Sequence, residues 1–208
     1  KFQDRIDKIN GSLSIAESVL NTVTKTQYES IQNQRQLQQN KTNVEDFVSQ
    51  NKKLSANYKD TAIDESNNLS ADKLNSLIDS VRKTTEDKNT QNNVIGQYLQ
   101  NSSKTLVDQK ASNQQIANSI QAAAQEMANN KMKPADIAAA INQGYGTNLT
   151  KKDVKTTEEG EVKLNLDESN LQKQLSNLQA DVTANIVAMN AAASGQNNSN
   201  SAFHRIGT

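Results

Sequence analysis

Apolar residues recur at alternating intervals of four and three residues between positions 70 and 133. The series runs from Leu74 to Met127, and the positions between its members carry mainly Asn, Gln, Ser, Lys, Asp or Glu. A period of 3.5 residues is typical of helices that wind around each other. Since only Gly96 and no proline interrupts this stretch, the pattern predicts one continuous helix of about 90 Å. We call its apolar members the central stripe: Leu74, Ile78, Val81, Ile95, Leu99, Leu106, Ile116, Ile120, Ala123 and Met127.

The first part of the chain repeats this spacing. Its apolar members, here called the N-terminal stripe, follow the intervals without a miss: Phe2, Ile6, Ile9, Leu13, Ala16, Leu20 and Val23. The register then passes through Gln27, Ser30 and Gln34 before it returns to an apolar residue at Leu37. Polar residues at such positions fix register or oligomeric state at some cost in stability. The sequence therefore predicts a second long helix from residue 2 to about residue 59, or two helices separated near residues 40–43.

Residues 60–69 are polar and predict the loop that joins these two helices. Ser70 is a suitable N-cap for the helix that follows. The acidic residues Asp60, Asp64 and Glu65 lack the central glycine and the ligand spacing of a calcium-binding EF-hand, so we interpret them as solvated. Residues 1–133 are thus predicted to form a long helical hairpin.

Residues 134–166 carry a different pattern. Pro134 at the first helical position and Asp136 in the first turn favour a short helix, with Ile137 and Ile141 on one face and a stop at Gly144–Gly146. Residues 150–153 then favour a brief capped turn. Val162, Leu164 and Leu166 alternate with polar residues, which predicts a strand paired in a hairpin with a segment that includes Val154. We expect a small irregular insertion with a short helix and a hairpin.

A last helix is predicted over residues 167–194, packed on the long helices, and residues 195–208 are predicted to be a flexible tail because they are almost entirely polar. The helix carries a third set of spaced apolar residues, the C-terminal stripe: Leu171, Leu175, Leu178, Val182 and Met189. Because the three predicted helices differ in length, this stripe is our candidate for self-association or for docking on a partner. The alternative is that all the stripes cover one another within one chain.

The composition suits this architecture. Only 34% of the residues are hydrophobic and 3% aromatic, which is little for a conventional globule but enough for one stripe on each helix of an elongated bundle. Disorder is the alternative for so polar a chain, but it does not explain the regular spacing. The predicted fold class is mainly α, with elongated antiparallel coiled-coil helices and a small α/β-hairpin insertion.

The residue types that support chemistry are scarce. Cysteine is absent and His204 is the one histidine, so imidazole-based catalytic triads and the common zinc sites cannot form within one chain. Lys and Arg equal Asp and Glu at 23 each, which predicts no attraction to nucleic acid, and no run is long enough to span a membrane. We expect a protein that is not an enzyme, with no catalytic residues, cofactor or metal.

The order of parts resembles the hydrophilic translocator, needle-tip and filament proteins of bacterial type III secretion systems (the EspA/SseB-like group). The local similarity covers about sixty residues and rests on Pro134, Asp136, Ile137, Ile141, Leu164, Leu171, Gln172 and Met189. The resemblance implies a coiled coil of N- and C-terminal helices, export, and assembly with secretion-apparatus subunits or a secretion chaperone. The long middle helix and the early polar tail depart from the pattern and favour a tip or translocator over a filament.

The first functional hypothesis is therefore a secreted or cell-surface coiled-coil component of such an apparatus, acting as a homo-oligomer or by docking. A second is a helical pore-forming or membrane-active toxin component, for which residues 162–166 are the one small apolar candidate. A third is a structural coiled coil of a phage or a cell surface. Membrane contact is not indicated by the sequence, and host and partner identity lie outside what it predicts.

Overall fold

The computed structural model describes residues 2–184, and for residues 11–31, 33 and 34 it describes the backbone alone. The chain divides into two units, Lys1–Gln39 and Asn40–Thr208. The described part is mainly helical with one small antiparallel sheet, so the coarse fold class is confirmed. Its helices are α1 (Phe2–Ser49), α2 (Lys52–Tyr58), α3 (Ala71–Thr84), α4 (Lys88–Asp108), α5 (Asn113–Asn129), α6 (Pro134–Tyr145) and α7, described over residues 171–184.

The predicted continuous helix over residues 70–133 is wrong, because this stretch forms α3, α4 and α5. Two capping side chains start new helices inside it. The Asp87 carboxylate accepts a hydrogen bond from the Thr90 backbone N–H at 3.0 Å, and Ser112 forms a capping box with Gln115. Between them, Lys110 adopts a left-handed conformation with φ of 54° after α4 ends. Satisfying the free backbone groups of a helix end in this way favours an interruption.

The central stripe nevertheless identifies buried residues correctly. All ten of its apolar members are buried, none more than 2% exposed. The breaks fall at polar positions of the same series: Thr85 and Gln109 are C-caps, and Lys88 and Asn113 are first helical residues. The spacing therefore marks one face along the whole stretch, while the polar positions mark where the chain turns.

The long N-terminal helix is confirmed in α1, which continues without interruption to Ser49. The predicted break near residues 40–43 is wrong, since the chain leaves the helix at residues 50 and 51 before α2 begins. The last turns of α1 belong to the second unit, where Val44 and Val48 join its core. In place of a two-helix hairpin, residues 2–133 thus contain α1 to α5.

The loop over residues 60–69 is confirmed and is itself partly buried. Ala62 and Ile63 are at most 4% exposed, and Ile63 pairs with Leu69 in an isolated antiparallel bridge. The Asp64 carboxylate accepts hydrogen bonds from the backbone N–H groups of Ser66 and Asn68, both at 2.9 Å. The Asp64 side chain thus stabilises the turn of its own loop.

Residues 134–166 contain the predicted elements. Pro134 is in the first turn of α6, and Gly146 ends this helix with a φ of 75°, a conformation that glycine adopts without strain. A 3₁₀ turn at Lys151–Asp153 precedes strand β1 (Val154–Thr156), which pairs with β2 (Val162–Leu164) in antiparallel register. These elements are not a separate insertion, because α6 packs most extensively against α4 and shares its core.

Candidate functional site

The C-terminal stripe is the site predicted from the sequence, and most of its described part is covered by the chain itself. Leu171 and Leu175 are at most 1% exposed and belong to the core of the second unit. Leu178 is half-buried and packs against the same core, and Val182 is also half-buried. Met189 lies outside the described residues. A partner could reach Leu171 and Leu175 only if α7 first detached from the core.

A buried polar cluster holds α7 in place. The Gln179 side-chain amide donates hydrogen bonds to the Gln100 carbonyl at 2.9 Å and to the Ser103 hydroxyl at 3.0 Å. Ser103 is fully buried and lies 2.8 Å from the Gly144 carbonyl of α6. Because buried polar groups are costly unless they are paired, this cluster specifies one position for α7 on α4 and α6. The sequence does not predict this cluster, since glutamines between apolar positions are usually exposed.

Two glycines allow α4 and α6 to approach closely. A Cβ atom at Gly144 would lie 2.5 Å from the Leu99 Cβ, and one at Gly96 would lie 2.7 Å from the Gln143 side chain. Any larger residue at position 144 would have to push the helices apart. The helix stop predicted at Gly144–Gly146 is formed by Gly146, whereas Gly144 lies inside α6 at the contact with α4.

Three tyrosines are buried in the second unit, and two of them have unpaired hydroxyl groups. The rings of Tyr58 and Tyr98 have their centroids 6.4 Å apart and tilted by 40°. Within the described part of the chain, neither hydroxyl finds a hydrogen-bond partner. Burial raises the pKa of Tyr98 to about 12, helped by the nearby charge of Asp60. Burial likewise raises the pKa of Tyr58, and the neighbouring Asn101 amide offsets part of this rise without a well-formed hydrogen bond.

The third buried tyrosine is paired. The Tyr145 hydroxyl lies 2.7 Å from the Ser119 hydroxyl, joining α6 to α5, and both residues are at most 2% exposed. Burial raises the pKa of Tyr145, and the Ser119 hydrogen bond counteracts only part of the rise. A serine hydroxyl beside a phenol could be a nucleophile, but activation would require a general base. The two hydroxyl groups instead form a hydrogen bond with each other, which is a structural role.

The carboxylates with shifted pKa values are helix and turn caps. Hydrogen bonds from the Thr90 side chain and backbone lower the pKa of Asp87. Asp153 and Asp167 have lowered pKa values because they accept hydrogen bonds from Thr150 and Asn165 and from Ser169, respectively. Asp87 and Asp167 are exposed and Asp153 is half-buried, and each caps the start of a helix or turn, so their pKa shifts reflect capping.

One groove of the second unit is open to solvent and is lined mainly by polar residues. It has a volume of about 760 Å³ and lies beside α2 and α3. The Asn57 amide donates a hydrogen bond to the Ser80 hydroxyl at 2.8 Å across it, and Lys83 pairs with Asp79 at 2.9 Å. Among the side chains that the structure describes, no group of three or more His, Asp or Glu is arranged to hold a metal ion. No helix in that range is long and apolar enough to cross a membrane.

Three members of the N-terminal stripe have described side chains, and all three are exposed. Phe2 is 80% exposed, Ile9 59% and Ile6 38%. Leu37, which continues the same spacing, is 36% exposed. Large apolar residues at consecutive heptad positions and in contact with water mark a helix face that is suited to a partner. The spacing of apolar residues predicts this stripe, but the docking role predicted from the sequence falls on the C-terminal one.

No protein-family model matches this chain, and no curated protein or solved structure is significantly similar to it.

Proposed function

We propose that this chain is a non-enzymatic association protein that binds through helix α1. The observation that carries the proposal is the exposure of Phe2, Ile6 and Ile9 at consecutive heptad positions. A coiled coil requires this spacing, and the exposed residues are large enough to provide an interface. The coiled-coil character predicted for the whole chain is thus retained as a proposal for α1.

The buried polar groups of the second unit support a non-enzymatic role, because they form hydrogen bonds with one another. Ser103, Ser119 and the glutamines at positions 97, 100 and 179 are buried and engaged in hydrogen bonds within the core. Groups committed to such contacts hold helices in place and are not poised to act on a substrate. The polar groups of the second unit therefore serve its own packing.

We further propose that the setting of this association is a bacterial type III secretion apparatus, in which the chain is a secreted tip or translocator component. The support is the resemblance over residues 134–189, of which the short helix α6, Leu164 in β2 and the start of α7 belong to the described structure. Secretion-apparatus subunits and a secretion chaperone are the partners that this proposal expects.

Export tests the proposed setting. The chain is followed by immunoblot in the culture medium of the bacterium that encodes it and of an isogenic strain without the secretion ATPase. We expect the chain in the medium of the first strain and only inside the cells of the second, with a cytosolic protein as the lysis control. Equal amounts in both media, or retention in both strains, would contradict it.

A further inference from the structure

The two edges of the β1–β2 sheet have different neighbours. At the outer edge of β2, the Gln121 amide of α5 donates a hydrogen bond to the Val162 carbonyl at 2.6 Å. The Gln125 side-chain oxygen accepts one from the Val162 N–H at 3.0 Å, and its amide donates to the Gly160 carbonyl at 2.9 Å. Two glutamine side chains therefore take the place of a neighbouring strand along β2.

The edge of β1 has no such cover in the described part of the chain. Lys155 pairs with Lys163, and the backbone bonds on either side of this pair make it the one whose N–H and C=O groups face each other. The N–H and C=O of Thr156 and the C=O of Val154 therefore point away from β2. They bond to no other described group, and Thr156 is exposed. These three groups are suited to an added strand.

The solvent-facing side of the hairpin carries two like charges, Lys155 and Lys163, here called the lysine pair. The two residues lie directly opposite each other and are exposed, and neither ammonium group forms an ion pair with a described carboxylate. Like charges in directly opposed positions are unfavourable. Lys151 and Lys152, which are also exposed, precede β1 and add to the positive charge. A carboxylate placed beside the lysine pair would relieve this repulsion.

Two acidic residues of the hairpin lie on the same face but do not supply that carboxylate. The Asp153 carboxylate accepts hydrogen bonds from the Thr150 N–H at 2.8 Å and from the Asn165 amide at 3.1 Å, so it is engaged in the cap of the 3₁₀ turn. Glu161 is exposed beside the turn of the hairpin. Neither forms an ion pair with the lysine pair, which therefore favours a carboxylate from another molecule.

We propose that β1 binds an extended acidic segment of another protein, which adds to its edge as an antiparallel strand. One residue of that segment would form two backbone hydrogen bonds with Thr156, and the residue two positions further along would donate one to the Val154 carbonyl. The residue between them would lie opposite Lys155 in a non-hydrogen-bonded pair, where side chains approach most closely. An Asp or Glu at this position would share a face with the lysine pair. This docking does not depend on α1 or on secretion.

A second copy of β1 is the less suitable occupant of this edge. An antiparallel pair that engages Val154 and Thr156 of both copies has its two-fold axis at Lys155, because this residue lies midway between them. Each Lys155 would then face its own copy, and the two lysine pairs would form one row of four ammonium groups across the sheet. The charges of the hairpin therefore favour an acidic partner over self-pairing.

Nuclear magnetic resonance of the isotope-labelled full chain tests the docking, with the peptide acetyl-Thr-Val-Asp-Val-Thr-amide as the probe. Its β-branched residues favour an extended backbone. At millimolar peptide the Thr156 amide resonance should shift and saturate, because its N–H gains an acceptor, whereas the Lys155 N–H already faces β2 and should shift less. A peptide with lysine in place of aspartate should bind about tenfold more weakly. A peptide methylated at both valine nitrogens should not bind, because it lacks the two N–H groups that face β1.

Charge reversal in the protein provides the matched variants. Lys155→Glu should weaken binding of the acidic peptide by about tenfold and strengthen binding of the lysine peptide. The same variant should have a higher melting temperature, because the new carboxylate would lie opposite Lys163, so lost binding cannot be ascribed to unfolding. Lys104→Glu, at an exposed position of α4, makes the same change in net charge and should bind like the wild type.

Three results would overturn the proposal. The first is a Thr156 resonance that does not respond to the acidic peptide, which would mean that the lysine pair only keeps other strands away from this edge. The second is equal binding of the acidic and the lysine peptides. The third is a Thr156 resonance that shifts with protein concentration in the absence of peptide, because a second copy would then occupy the edge.

Discussion

The central and N-terminal stripes have the same spacing but different environments. All ten apolar members of the central stripe are at most 2% exposed, whereas Phe2, Ile6 and Ile9 are between 38% and 80% exposed. The difference arises from what interrupts each series. Asp87 and Ser112 start new helices within the central stripe, whereas α1 continues through the N-terminal stripe as one helix. A 3.5-residue period therefore specifies an apolar face, but the helix ends determine whether the chain can fold back to cover it.

High pH should weaken the buried region most. Tyr58, Tyr98 and Tyr145 all lie in the second unit, and burial raises the pKa of each above its ordinary value of 10. Burial favours the neutral phenol in the folded state, whereas the unfolded chain ionises near pH 10. The contribution of the three phenols to the free energy of unfolding is therefore complete below pH 10 and is lost as the pH rises toward 12. Raising the pH from 8 to 11 should lower the free energy of unfolding by about 1.4 kcal/mol for each tyrosine and by about 4 kcal/mol for all three.

Urea denaturation at these two pH values, followed by near-ultraviolet circular dichroism, measures the alkaline loss. The Tyr98→Phe variant serves as the control, because it should reduce the pH dependence by about a third. An unfolding free energy that is the same at pH 8 and pH 11 would show that the tyrosines are not buried as described.

One isoleucine from each stripe gives the most direct comparison. Ile120→Ala should reduce the free energy of unfolding by about 3 kcal/mol, because this side chain is fully buried and its removal leaves a cavity. Ile9→Ala should change it by less than about 0.5 kcal/mol, since Ile9 is 59% exposed. Urea denaturation measures both, at a concentration low enough to keep α1 unpaired. Similar losses in the two variants would remove the distinction between the stripes.

Alanine substitutions at one glycine in each region should have opposite effects on stability. Gly144→Ala should destabilise the second unit by about 1–3 kcal/mol, because the new Cβ would overlap with Leu99 of the central stripe. Gly11→Ala, within α1, should instead stabilise the helix by about 0.5–1 kcal/mol, because alanine has the higher helix propensity. Thermal unfolding followed at 222 nm measures both effects, and a neutral Gly144→Ala would contradict the close approach of α4 and α6.

The smallest effect concerns single hydroxyl groups in the buried region. Tyr145→Phe should cost about 1–2 kcal/mol, because it leaves the buried Ser119 hydroxyl without its partner. Tyr98→Phe should cost nothing or be slightly stabilising, since no described group bonds to the hydroxyl that it removes. Chemical denaturation of the two variants side by side provides the measurement. Equal losses would mean that Tyr98 has a partner of its own.

Prediction from the sequence was most successful where local rules decide the structure. The N-cap at Ser70, the helix that starts at Pro134 and the hairpin between β1 and β2 depend on residues close together in the chain. The break between α3 and α4 was missed because Asp87 is as plausible on a helix surface as at an N-cap. The structure shows that it caps α4.

The association site was the least predictable feature. The sequence contains three stripes with similar spacing, and the difference in predicted helix length favours the C-terminal stripe as the association site. Leu175 is in fact fully buried, and Gln179 ties the same helix to α4. These contacts join residues more than seventy positions apart, and hydrophobic spacing contains no information about such distant partners.

The amino-acid sequence by itself determined the helical class, the apolar face of each helix, the hairpin and the absence of thiol chemistry, because periodicity, capping and residue type act over a few positions. Only the tertiary structure decided which apolar face is buried, which glutamines are buried, and that Gly144 allows α4 and α6 to pack closely. Burial depends on the path of the whole chain. Two stretches with the same 3.5-residue spacing can therefore become a core in one place and an exposed surface in another.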